Sequence, residues 1–185
     1  MVDAGDWVLV QGGLCLFGDD ARPVPVRSLW WTVTPVTPQH LGRSGESARL
    51  PVACLTQAEA AAAAALLGGR LPRSSEWEWM AAGAARRRYP WGDEDWRPGR
   101  AALLPSGFSC PVAAGSHLEG ATPEGVLDVA GNVWEWTATT VVGGGYVIRG
   151  GSYASQLLYA RTTFRNAAPA ELRSPGIGVR VVREP

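Results

Sequence analysis

An α+β domain with two early helices, short antiparallel strands and long loops is what this sequence predicts. Three observations lead there. Two segments within residues 56–83 carry helix start and stop signals; short β-rich runs broken by Gly and Pro lie on both sides of them; and residues 89–125 hold many Pro and Gly with few periodic apolar positions. A length of 185 residues fits a single domain, 1–185, and an apolar content of 46% supplies a sizeable core.

"WVLV" at residues 7–10, then "QGG" and "LCLFG", predicts a hairpin of two β-rich runs split by glycines. "VPVRSLWWTVTPVTPQHL" holds strand-like pieces that its prolines keep short or on an edge, and residues 42–50 form a polar loop. In "TQAEAAAAAALLGGR", Thr56 and Glu59 have capping-box spacing, six alanines and two leucines propagate the helix, and Gly68–Gly69 stop it. "LPRSSEWEWMAAG" predicts a second helix with Ser75 and Glu78 as its capping box, Trp77 and Met80 on one face, Trp79 on another, and an end near Gly83. Trp91 and Trp96 are the expected anchors of the irregular stretch that follows. "VLDVAGNVWEWTATT" predicts a turn at Gly131–Asn132 and a strand with Trp134 and Trp136 facing one way and Glu135 the other. A further strand is expected at 146–149. A last one, "GIGVRVV", places Val179 and Val181 on one face and Arg180 on the other.

The 17 basic and 17 acidic residues cancel, which argues against nucleic acid or an anionic membrane as a partner through bulk charge. Every basic residue is arginine, so lysine Schiff bases and a phosphate-loop lysine are excluded. Cys15, Cys54 and Cys110 are widely spaced with no CxxC, and predict buried or idle thiols in a reducing compartment. His40 and His117 lie in irregular polar segments and are expected at the surface. No GxSxG, HExxH or phosphate loop occurs, and neither a signal-peptide run nor a membrane-length apolar run is present, so the default expectation is a cytoplasmic protein.

"GGRLPRSSEWEWMAAG", "YPWGD", "DVAGNVWEWT", "VIRGGSY" and "GIGVRVV" occur in the order of the successive blocks of the formylglycine-generating, sulfatase-modifying family, over roughly residues 5–183. The resemblance implies that family's variant of the C-type lectin fold. It also implies where catalytic residues would fall. The family's oxidase holds copper(I) with two cysteines just after the "RGGSY" block, and those positions fall at Ser155 and about Ala160, neither a soft-metal ligand. The related sulfoxide synthases need several histidine ligands for iron, and this sequence has two histidines. An enzyme is therefore not expected, nor a resident cofactor. Family members that bind calcium make Asn132 and Glu135 candidate ligands, against the plainer reading that Asn132 occupies a left-handed turn and Glu135 pairs with an arginine.

Residues 149–182, "RGGSYASQLLYARTTFRNAAPAELRSPGIGVRVV", have well-patterned ends and a patternless middle. That layout resembles the variable proteins of diversity-generating retroelements, which display diversified residues on a C-type lectin scaffold. In that branch adenines of AAC-type codons are randomised during copying. Tyr153, Ala154, Ser155, Leu157, Leu158, Tyr159, Ala167, Ala168, Leu172, Ser174, Pro175 and Gly176 all belong to the set such codons reach. Gln156 and Glu171 do not, and are expected to be fixed; Asn166 fits an unmutated remnant. Tyr153, Leu157, Leu158 and Tyr159 are expected to form one exposed apolar patch for a protein or other macromolecular ligand. Arg161, Arg165, Arg173 and Arg180 are expected to brace loop carbonyls. The alternatives are a degenerate or repurposed oxidase or regulatory subunit of the same family, and a sugar-binding lectin, for which no Glu-Pro-Asn-type motif is present.

Overall fold

The computed structural model describes residues 6–185. Its strands are β1 (Trp7–Val10), β2 (Gly13–Phe17), β3 (Arg22–Val26), β4 (Leu29–Thr32), β5 (Trp134–Thr140), β6 (Tyr146–Arg149), β7 (Asn166–Ala168), β8 (Ile177–Gly178) and β9 (Val182–Arg183). The helices are α1 (Gln57–Leu66) and α2 (Ser74–Ala82). The strands make a three-stranded sheet β1-β4-β9, a two-stranded ribbon β2-β3 and a four-stranded sheet β7-β6-β5-β8. This is the α+β arrangement expected, with helices early and loops carrying much of the chain.

The first hairpin pairs differently from its prediction. β1 pairs with β4 and β2 with β3, both antiparallel, so "QGG" joins two sheets instead of turning one strand back on itself. The apolar pattern of β1 matches a core sheet, and only tertiary packing selects "LWWT" over "LCLF" as its neighbour. α1 begins as expected: Thr56 Oγ1 accepts from the Glu59 amide at 3.2 Å, and Glu59 Oε2 accepts from the Thr56 amide at 3.0 Å. α2 begins two residues earlier than Ser75 and Glu78 suggest. Glu76 accepts from the Arg73 amide at 2.7 Å, which leaves the Glu78 carboxylate free for the core. Trp77 and Met80 are fully buried together, and Trp79 packs instead on the β2-β3 ribbon, as its different face predicts.

The last strand is also corrected. Residues 177–182 split between sheets: β8 runs parallel to β5 at Trp134–Ile177 and Glu135–Gly178, and β9 runs antiparallel to β4. Val179, Arg180, Val181 and Val182 all have 0% exposure, so the segment threads a seam with protein on both faces, and Arg180 is as buried as the valines.

Two buried ion pairs close that seam. Arg180 Nε donates to Glu135 Oε1 at 2.8 Å, and Trp77 Nε1 donates to Glu135 Oε2 at 2.6 Å. The rest of the Arg180 guanidinium donates to the carbonyls of Thr32, Val33 and Leu127 at 2.8, 3.0 and 2.7 Å. On the other side of Trp77, Arg149 Nη2 donates to Glu78 Oε2 at 2.8 Å, and Glu78 Oε1 accepts from the Gly18 amide at 2.6 Å. Arg149 also lies 4.8 Å over the Trp77 ring. Burial holds the Arg149 pKa down to about 10 even with Glu78 beside it. Its Nη2 is satisfied by Glu78 and the Thr162 carbonyl, while its Nε is buried without a partner among the described residues.

The glycine at 150 is required by geometry. It has φ +93°, and a Cβ there would lie 2.6 Å from the Val129 carbonyl oxygen. Its neighbour across the turn, Gly131, has φ +75° and abuts the Ala102 carbonyl. Their backbones touch directly, Gly131 N donating to Gly150 O at 2.8 Å, so the "AGN" and "RGG" blocks are two sides of one crossing.

Candidate functional site

Residues 150–176 leave β6 and return to β8 as a long, mostly irregular segment, interrupted by β7 and pinned at four places. At its start, the Tyr153 amide donates to Asn132 O at 3.0 Å. In its middle, Arg149 donates to Thr162 O at 2.6 Å, and the Thr162 hydroxyl donates to Arg87 O at 2.5 Å. Between them Ala160 is fully buried in a small cluster with Tyr89, Ala101, Leu103 and Ala130, against which Leu157, Trp91 and Trp96 pack. Trp91 and Trp96 thus anchor the irregular stretch as expected, Trp96 Nε1 donating to Ala101 O at 3.0 Å. Near the loop's end, Arg173 donates to Cys54 O at 3.1 Å and to Glu59 Oε1 at 2.6 Å, and Cys54 N donates to Ser174 O at 3.0 Å.

The candidate positions separate by burial. Ala154, Leu158, Ala167, Leu172 and Pro175 are exposed, with Leu158 at 48% and Leu172 at 40%; Tyr153, Leu157, Tyr159 and Ser174 are half-buried. Ser155, Ala168 and Gly176 are buried, which corrects their place in the displayed set. The Ser155 hydroxyl accepts from the Ser152 amide at 2.9 Å and closes a turn, Ala168 packs into the main core beneath β7, and Gly176 O accepts from the Trp134 amide at 2.8 Å. The single patch expected of Tyr153, Leu157, Leu158 and Tyr159 also divides. Leu157 turns to the small cluster, while Tyr159 stands edge-to-face on Phe164 at 4.9 Å and on Trp134 at 6.1 Å. Leu158, between them on a 3₁₀ turn, faces out.

The fold brings residues 152–155 and 174–176 together: Ser152 lies 3.5 Å from where a Gly176 Cβ would sit. Ala167 and Ala168 are elsewhere, paired with Val147 and Tyr146 at the opposite end of β6. At ~3.3 Å per residue that is about 10 Å down the strand. Gln156 and Glu171 are exposed, so burial is not what distinguishes them.

The oxidase copper site does not fit this chain. Ser155 offers a hydroxyl already engaged by Ser152, and Ala160 has no donor atom and no exposure. Cys15 is buried elsewhere, against the ribbon, where burial and the nearby Glu78 carboxylate push its thiol up to about 11. Cys54 and Cys110 are exposed and free. The calcium candidates have their oxygens committed: Asn132 Oδ1 accepts from the Val112 amide at 3.0 Å, and Glu135 holds Arg180 and Trp77. Asn132 has the left-handed φ of +60° expected of a turn. Among the described residues no group of three or more His, Cys, Asp or Glu is disposed to hold a metal ion. His117, expected at the surface, is 7% exposed beside the buried Asp128; His40 is half-buried, its Nδ1 accepting from the Thr37 amide at 2.9 Å.

The sulfatase-modifying factor enzyme 1-like domain matches residues 8–185. The chain belongs to that family. Among its relatives are hercynine oxygenase of Mycobacterium tuberculosis, 35% identical over 71% of this chain and 36% of its own length, and the inactive C-alpha-formylglycine-generating enzyme 2 of Mus musculus, 33% identical over 73% and 49%. The chain therefore spans about a third to a half of the curated relatives it matches. In three dimensions it is similar to Treponema denticola variable protein 1, with a TM-score of 0.83, covering 97% of this chain and 95% of that one at 17% identity. The fold is thus the C-type lectin-like variant expected, in a family that holds both enzymes and an inactive member.

The Glu59 carboxylate joins two tasks, capping α1 and tethering Arg173. Its pKa falls from 4.5 to about 2, chiefly through the Arg173 hydrogen bond and then the Thr56 amide. A depressed acid stabilises the fold above its unfolded pKa and loses that contribution as pH drops through the folded value. Lowering pH from 4.5 towards 2 is expected to release this tether and lower the protection of the Cys54 amide, its exchange relative to the unfolded chain at the same pH, before the core opens. Glu59→Gln is expected to give the lower protection already at neutral pH.

Proposed function

We propose that this protein is a non-catalytic binding protein. Its braced body presents Tyr153, Ala154, Leu158, Leu172, Ser174 and Pro175 to a protein or other macromolecular ligand, at positions diversified by retroelement copying. The observation that carries the reading is the division of labour inside residues 150–176. Backbone pins and buried anchors hold the loop, while nine of the twelve candidate side chains keep part or all of their exposure. Surface substitutions of that kind change stability by roughly 0.5 kcal/mol or less. Such positions are free to vary, and exposed apolar and tyrosine side chains supply contact area.

Two measurements test it. The DNA beside the gene is expected to hold a near-identical copy of the segment encoding 149–182, differing at adenines, and a reverse transcriptase; absence of both removes the diversification. Saturation mutagenesis read by thermal denaturation is expected to show tolerance at Ala154, Leu158, Leu172 and Pro175 and intolerance at Ser155, Ala168 and Gly176. Equal intolerance at the first group would end the display reading.

The second reading is a repurposed enzyme or regulatory subunit, favoured by 35% identity to an oxygenase. Copper(I) titration separates the two. Stoichiometric copper with oxygen-dependent thiol oxidation would support the enzyme. No stoichiometric copper is expected from a serine and an alanine at the thiolate positions.

A further inference from the structure

The β2-β3 ribbon is apolar on both faces. Cys15, Phe17 and Val26 point inward and pack with Val24 against Trp79. On the outer face the cross-strand pairs are Leu14 with Pro25 and Leu16 with Pro23. All four are exposed, Leu14 at 57% and Leu16 at 37%. An antiparallel ribbon with one solvated face ordinarily alternates apolar and polar residues. Here the solvent side carries no polar side chain between Gly13 and Phe17 on β2 or between Pro23 and Pro25 on β3; Arg22, which opens β3, is paired with Phe17 on the inner face and lies over its ring. Strand addition to the β3 edge is disfavoured, because Pro23 and Pro25, two apart and on the same side, offer no amide hydrogens. Anything covering this surface must lie on its face.

Charge selects the occupant. Asp19 and Asp20 form the turn end of the ribbon, exposed and in no ion pair among the described residues; the arginines near that end, Arg22, Arg86 and Arg165, are engaged with the inward-facing Phe17 ring and the Gly18 carbonyl. The open end carries Arg27, with Arg73 lining the same hollow; the two acids there, Glu76 and Glu184, are both paired with Arg70, and neither Arg27 nor Arg73 has an acidic partner among the described residues. The geometry points to a second copy of this chain as the occupant, the two ribbons packed face to face about a two-fold axis. There are two ways to do this. An axis parallel to the strands stacks Asp19–Asp20 on its own image and Arg27 on its own. An axis across the strands sets Leu14 and Pro25 of one copy over Leu16 and Pro23 of the other, and the aspartates of each over Arg27 of its partner. The second arrangement is self-complementary in both shape and sign. The chain's net charge of 0 removes the long-range repulsion that two copies of a charged protein would meet. Four side chains a side make a small interface, below about 1,200 Å² in total, which places the dimer in the weak class. The inference does not depend on the proposed function. If that function holds, pairing would present two C-terminal surfaces at once and raise avidity without new contacts.

Sedimentation equilibrium on the full chain tests it. Wild type is expected to shift with concentration, within the micromolar range, from 19.6 kDa to twice that mass. Leu14→Ser/Leu16→Ser is expected to remain at 19.6 kDa with an unchanged melting curve, since both positions face solvent in the single chain. Arg27→Asp is expected to weaken association about tenfold or more. Adding Asp19→Arg and Asp20→Arg is expected to restore it, a rescue that only pairing of opposite ribbon ends produces. A wild-type chain that stays at 19.6 kDa overturns the proposal, as does a dimer that the leucine pair leaves unchanged.

Discussion

Arg180→Ala is expected to destabilise the protein by about 3–5 kcal/mol, a large part of the roughly 5–15 kcal/mol that holds a domain folded. The reason is what the residue leaves behind. Glu135, with no exposure, would keep its negative charge or take up a proton beside Trp77, and the Thr32, Val33 and Leu127 carbonyls would lose their donor inside the seam. Each orphaned buried group costs about 1–3 kcal/mol. Glu135→Gln keeps the shape and one acceptor, and is expected to lose less. The double variant Glu135→Gln/Arg180→Met is expected to recover little of the Arg180 loss, because three carbonyls remain unpaired. Urea denaturation with the slope held constant measures all three, and an Arg180→Ala loss below about 1 kcal/mol would show that water fills the seam.

Arg149→Ala ranks second and has a different signature. It removes the partner of Glu78 and the donor to Thr162 O, so it strikes both the core and the loop. A loss of about 3–5 kcal/mol is expected for the broken pair. Arg149 gives one hydrogen bond to the Glu78 carboxylate and two to the Thr162 and Thr163 carbonyls, so replacing both partners with apolar residues, Glu78→Leu with Arg149→Met, is expected to regain only part of the stability: both charges go, but those carbonyls and the Gly18 amide stay unpaired. The loop is not expected to recover with it. In that double variant Thr162 O still lacks its donor, so hydrogen exchange across 153–164 is expected to stay fast while the global melt partly returns. A loop that stiffens along with the core would show that Ala160 and Leu157 suffice to pin it.

These two arginines show where reading the sequence stops. Glu135 was legible as a pairing residue, since a lone acid between tryptophans in a strand needs a cation. Its partner was not. Arg180 reads as the face opposite the valines of an alternating strand and as a brace for loop carbonyls; it does donate to three carbonyls, but the pattern gives no sign of its complete burial. It is buried because the segment changes sheets at that point, a fact of topology that no local period records. The capping box that Ser75 and Glu78 suggest fails for a related reason: their spacing is right, but Glu76 reaches the free amide at the helix start.

By itself the sequence determined the fold class, the two helices with the first helix's cap, the aromatic anchors Trp91 and Trp96, and the absence of thiolates at Ser155 and Ala160. All of these depend on residue identity or on spacing within a few positions. The tertiary structure alone decided that Leu158 faces water while Leu157 and Tyr159 turn inward, and that Ser155, Ala168 and Gly176 belong to the body. Within an irregular loop the backbone has no period to orient side chains. Their direction is set instead by the partners the folded backbone brings up, Ser152 and Phe164 within the loop and Trp134 outside it.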